Sequence, residues 1–163
     1  MKLILVAMQP AIPLADLLLE RTCELGQRLS YVEAAQLVSR RSTAEGAVES
    51  VQHWRLRAAV PALLRAHLAE GLLDWRLSLI RQPGAMSCQW RAESAAQRVS
   101  GRCDGRLEIG DAAGGRGSRL ALDWELQFQS PGLRSMVGTL LTRYWRGLAE
   151  AASQQLATSA QAS

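Results

Sequence analysis

Few side chains in this sequence are spaced for chemistry. Its three cysteines, Cys23, Cys88 and Cys103, include no close pair, so there is neither a zinc spacing nor a redox CxxC. His53 and His67 lack a second histidine or an acid at ligand spacing, so no metal is expected. No GxSxG occurs, and no Cys–His pair is readable from spacing. Triads assemble from distant positions, so catalytic residues stay unassigned. Gly110 to Gly117 lies near Arg116 and Arg119. A phosphate cradle needs a strand before it and a helix after it; here a strand follows, and the segment reads as a hairpin loop. No cofactor is expected.

Tryptophan and arginine adjoin repeatedly, at Trp54-Arg55, Trp75-Arg76, Trp90-Arg91 and Trp145-Arg146. Such interleaving could stack bases and hold phosphates. Strand geometry argues otherwise, because adjacent strand residues point to opposite faces. Each strand tryptophan then faces inward and its arginine outward. The outward face also carries Asp74, Glu93, Asp104, Glu108, Asp123 and Glu125, so cross-strand ion pairs explain it better. Nucleic acid is not the expected partner. Cys88 and Cys103 fall on the apolar side of neighbouring strands, where thiols behave as small hydrophobes. Whether register brings them close enough to pair is left open.

The elements that position these residues are legible from periodicity. Met1 to Met8 imitates a signal peptide, but Gln9-Pro10 interrupts it early. A first strand is the expectation, and the cytoplasm the expected compartment. From Pro13 to about Leu29, apolar residues recur at helical spacing, with Gly26 weak enough to allow two short helices. The period then becomes two. Strands are expected at Ala34 to Arg41, Val48 to Arg57, Leu73 to Leu79, Met86 to Glu93, Val99 to Ile109 and Leu120 to Phe128. A short amphipathic helix from Pro61 to Glu70 interrupts them, with His67 near its apolar side. After Ser130-Pro131-Gly132, residues from Leu133 to Leu156 repeat at three and four, predicting a long helix of ~36 Å at 1.5 Å per residue. Ala157 to Ser163 is uncharged and reads as a fraying end.

At 163 residues, 48% of them apolar, the chain suits one globular domain with an ample core. No apolar run approaches the ~20 residues of a membrane span, so no integral membrane association is expected; transient contact with a membrane surface stays open. The net charge is +4, with Lys2 the sole lysine, and arginine is spread along the chain rather than clustered.

This order of elements resembles the START-like, or SRPBCC, helix-grip superfamily of pollen allergens, lipid-transfer START domains and polyketide cyclases. The likeness spans residues 1–156, with 157–163 as a tail, and is topological rather than carried by a short motif. It implies an α+β fold in which a curved seven-stranded antiparallel sheet wraps around a long C-terminal helix. The proline-and-tryptophan segment of coenzyme-Q-binding relatives is missing near the second strand, which sets that subfamily aside. The resemblance also implies a hydrophobic ligand, such as a lipid, isoprenoid, polyketide or aromatic molecule, between sheet and helix.

The corresponding positions here are Trp54, Trp75, Leu77, Trp90, Leu107, Leu122, Trp124, Met136, Leu140 and Tyr144, with Leu64, His67 and Leu68 at a pocket entrance. Tyr144, Trp75 and His67 are candidates for fixing the ligand's orientation. A carrier or sequestering protein is the leading expectation. A cyclase or dehydratase-like enzyme needs ionisable groups inside, and the inward list offers almost none. A protein-interaction module would show a solid core with an exposed apolar patch. Oligomeric state is not specified.

Overall fold

The computed structural model describes residues 1–57, 73–94 and 101–162. The elements are β1 (Lys2–Ala7), α1 (Ala11–Glu20), α2 (Thr22–Gly26), β2 (Val32–Ser42), β3 (Val48–Leu56), β4 (Asp74–Arg81), β5 (Ser87–Ser94), β6 (Arg102–Asp111), β7 (Ser118–Gln127) and α3 (Pro131–Gln161). All seven strands form one antiparallel sheet in the order β1-β7-β6-β5-β4-β3-β2. This is the α+β helix-grip fold. The expected insert from Pro61 to Glu70, with Leu64, His67 and Leu68, lies outside the described residues.

Alternation builds the sheet, and register makes its inner face continuous. Trp54 lies opposite Trp75, Leu79 opposite Trp90, and Gly105 between Trp90 and Trp124. All four strand tryptophans therefore share one face, and each is buried. The expected single or double N-terminal helix is a pair. It starts at Ala11, so Pro13 falls in the first turn, where a missing N–H costs nothing. Leu14 and Leu18 are fully buried beneath α1, which packs against α3 and the β6–β7 side of the sheet.

Ser130 caps α3, accepting from the Leu133 N–H, and Pro131 opens the first turn. The stripe Val137, Leu141, Tyr144, Trp145, Leu148 and Ala152 is buried. The last residues of α3, from Ala157 to Gln161, are helical, in a segment without glycine or proline. The glycine-rich segment before β7 is a hairpin connection, with Gly114, Gly115 and Gly117 at positive φ.

One glycine decides how the core fills. A Cβ on Gly105 would lie 2.3 Å from the Trp90 indole, so the ring covers that strand position flat. Trp90 in turn sits 5.3 Å from Trp145 and 6.4 Å from Trp124, centroid to centroid. Gly105→Ala should therefore displace a wedged ring, at a cost of about 1–3 kcal/mol. Thermal melting followed by circular dichroism should show a Tm lowered by several degrees. An unchanged Tm would mean that the ring does not occupy this position.

Candidate functional site

The inner face divides into a solid half and a hollow half. Under the N-terminal half of α3 lies a cavity of about 30 Å³. Tyr31, Trp54, Leu56, Trp75, Leu77 and Ala92 wall it from the sheet side, and Val137, Leu140, Leu141 and Tyr144 from the helix. Of the positions expected at a ligand site, Trp54, Trp75, Leu77, Leu140 and Tyr144 meet here. Trp90, Leu107, Leu122 and Trp124 are buried in the solid half, where Trp90 stands between Trp124 and Trp145. Met136 is half-buried one turn before Leu140 and takes no part in the wall. Trp145, only 1% exposed, is absent from the expected inward residues, although it falls four positions after Leu141 and four before Ala149.

Aromatic faces dominate the hollow half. Trp54 and Tyr144 are in contact, with ring centroids 3.6 Å apart, and the Trp54 indole donates to Gln52 Oε1 at 3.3 Å. The Tyr144 hydroxyl is buried and has no hydrogen-bond partner among the described residues. Burial holds its pKa well above the usual range, so it stays protonated and keeps a donor to offer. Tyr31 is pushed up to about 12, mainly by burial; its hydroxyl donates to the Arg143 carbonyl at 2.9 Å and fastens the start of β2 to α3. Leu56 N–H donates to Leu73 C=O at 2.9 Å, marking where the chain leaves and rejoins the sheet beside this cavity.

A second concavity, about 290 Å³, lies at the other end of the inner face, between α1–α2 and β3–β4. Ser50, Gln52, Arg81, Cys23 and Cys88 line it. Arg81 is 6% exposed and fully engaged: it donates to Asp16 and Glu20, each at 2.9 Å, and to the Ala85 carbonyl at 2.8 Å. The inward surface thus holds a buried cation and a buried amide that the expected apolar set omits. The signal is present in the sequence, since Gln52 continues the alternation of Trp54 and Leu56, and Arg81 that of Trp75, Leu77 and Leu79.

The remaining reactive groups are quiet. Cys88 and Cys103 are pushed up to about 12, chiefly by burial, so both stay thiols. Cys88 lies opposite Leu107, four residues along β6 from Cys103, or ~13 Å at strand rise, too far to pair. His53 is on the outer face, 3.7 Å from Asp74. The outer arginines pair across or along strands, as in Arg91–Asp104 at 2.5 Å and Arg106–Glu108 at 2.7 Å. Among the described residues, no three metal-ligating side chains gather, and no helix is long and apolar enough to cross a membrane.

Comparison with solved structures places the fold. TTHA0849 from Thermus thermophilus superposes with a TM-score of 0.61 at 16% identity, covering 97% of each chain. Ara h 8.0201 gives 0.67 at 10% identity, also over 97% of each chain. The di-domain ARO/CYC StfQ of the steffimycin biosynthetic pathway gives 0.56 at 14% identity, over 94% of this chain but 44% of its own length. No protein-family model matches the sequence, and no curated protein does.

Proposed function

We propose that this protein binds a single hydrophobic molecule, a lipid, isoprenoid, polyketide or aromatic compound, between β3–β5 and the N-terminal half of α3, as a carrier or sequestering protein. The observation that carries this reading is the hollow beside Trp54, Trp75 and Tyr144, whose wall is apolar and aromatic where that of the larger concavity around Arg81 and Gln52 is polar. Its wall includes Leu140, a half-buried side chain on α3, so a rotamer change there opens the hollow outward. About 30 Å³ holds no more than a water, so a ligand enters by displacing Leu140 and its neighbours rather than by filling empty space. Affinity comes from apolar burial at ~25 cal/mol per Å². The unpartnered Tyr144 hydroxyl and the edge of Trp75 supply orientation, favouring a ligand with an oxygen acceptor. Trp90, Leu107, Leu122 and Trp124 support the site from behind.

The rival reading, a cyclase or dehydratase-like enzyme, takes its support from the likeness to StfQ and from the polar concavity around Arg81 and Gln52. Acid–base work needs a group poised near neutral pH. The buried phenols and thiols shift the other way, towards their neutral forms, and Arg81 is committed to two carboxylates. The carrier reading is therefore preferred.

Titration with phenylnaphthylamine, an uncharged fluorophore, tests it. Trp54 and Trp75 border the hollow, so binding should quench tryptophan emission as the probe brightens. Leu140→Trp should weaken uptake by about tenfold or more, since an indole would overfill the space. Parent protein that takes up no probe, or a variant that binds as the parent does, would remove the site from consideration.

A further inference from the structure

The two edges of the sheet are built differently. The β2 edge carries two register shifts, Val32/Ala34 and Leu37/Ser39, together with Arg40 and Arg41. Its exposed Leu37 and Val38 fall at the second shift, where the ladder is broken. Those are the devices that keep an edge from pairing. The β1 edge has no register shift, and its one charged side chain, Lys2, lies at the start of the strand. It is regular, and its outward side chains are Lys2, Ile4 and Val6, followed by Met8 and by Ile12 of α1. Ile4 is 47% exposed, Val6 70%, Met8 81% and Ile12 67%.

The hydrogen-bond phase of β1 sets which backbone groups this edge offers. Met1 N donates to Trp124 O at 2.6 Å, and Trp124 N to Met1 O at 2.9 Å. Antiparallel partners alternate, so Leu3, Leu5 and Ala7 turn their backbone towards β7, and Lys2, Ile4 and Val6 turn theirs away. No partner for these outward groups exists among the described residues.

We propose that β1 pairs antiparallel with β1 of a second copy of this chain, giving a two-fold dimer whose sheet runs across the seam. Outward-facing groups must meet outward-facing groups, and the register that pairs all three of them sets Ile4 opposite Ile4 on the axis and Lys2 opposite Val6 of the second copy. Ile4, Val6 and the adjoining Ala121 of both copies then form one apolar stripe over the seam. Charge agrees with this register. The two Lys2 side chains never face each other, and the row through Lys2 and Asp123 of one copy continues into Val6 and Arg119 of the other. A two-fold interface is self-complementary in this sense. A lipid surface would cover the apolar side chains but leave the outward N–H and C=O groups without partners.

Sedimentation velocity of the whole chain over a concentration series tests the proposal. The parent should sediment as a dimer. Ile4→Glu sets two carboxylates against each other on the axis and should raise the dissociation constant by about tenfold or more. Val6→Glu places its carboxylate opposite Lys2 of the second copy and should keep the dimer, as should Ile12→Glu, which lies off the strand. Ile4 and Val6 point to solvent, so each variant should show the parent's circular dichroism. A parent that is monomeric throughout overturns the proposal, as does one that pellets with phosphatidylcholine vesicles while monomeric in solution. Loss of the dimer on Val6→Glu, or its survival in Ile4→Glu, overturns it equally.

Discussion

Trp145→Ala should destabilise the protein by about 3–5 kcal/mol, lowering Tm by roughly 6–20 °C for a chain of this size. Trp145 is 1% exposed and stands against Trp90 at 5.3 Å and Tyr144 at 5.7 Å, so it fastens α3 to the solid half of the sheet. Removing it leaves a void ringed by large aromatic side chains that cannot all collapse inward. Trp145→Phe gives the informative contrast. The indole N–H is buried with no partner among the described residues, and an unmet donor costs about 1–3 kcal/mol. Phenylalanine keeps most of the ring and removes that donor, so it should cost far less than alanine. Urea unfolding of the three proteins, with similar m-values, measures both differences. Equal losses for the two substitutions would show that the N–H is satisfied, by an ordered water for example, or that the second ring supplies the packing.

The double variant Asp16→Ala/Glu20→Ala should lose a comparable amount, about 3–5 kcal/mol, whereas Arg81→Met should lose no more than about 1–2 kcal/mol. The asymmetry follows from exposure. The Arg81 side chain is 6% exposed, but those of Asp16 and Glu20 are 58% and 39% exposed. Without its carboxylates the guanidinium stays buried as an uncompensated charge. Without the guanidinium the carboxylates turn to water, and a methionine fills the space with an apolar stem. Arg81 thus pins the end of α1 to β4 and closes the polar concavity from above; Glu20 also pairs with Arg40 on β2. Urea unfolding again decides: if Arg81→Met were the more damaging change, the burial of the charge would not be what makes this contact costly to break.

How far the fold is legible in the sequence depends on whether periodicity is local. Strand alternation puts Trp54, Trp75, Trp90 and Trp124 on one face, because successive side chains of an extended chain must point oppositely whatever surrounds them. The same rule reaches Gln52 and Arg81, but both are polar, and hydrophobicity alone does not mark them as inward. Gln52 accepts from Trp54 of its own strand, but the burial of Arg81 is sustained only once α1 brings Asp16 and Glu20 to it from more than sixty residues away. No local pattern contains that pairing.

The candidate site divides in the same way. The sequence by itself determined the inward face of each strand, the buried stripe of α3 and, through the order of elements, the class of fold. Tertiary structure alone decided which inward residues border empty space. Gly105 let the Trp90 ring lie flat, and Trp145 filled what remained above it, so Trp90, Leu107, Leu122 and Trp124 became solid core. At the other half, Trp54, Trp75 and Tyr144 met around a gap. Whether facing side chains close on each other or leave a hollow depends on volumes summed across strands and helix, and that sum exists only once the helix lies on the sheet.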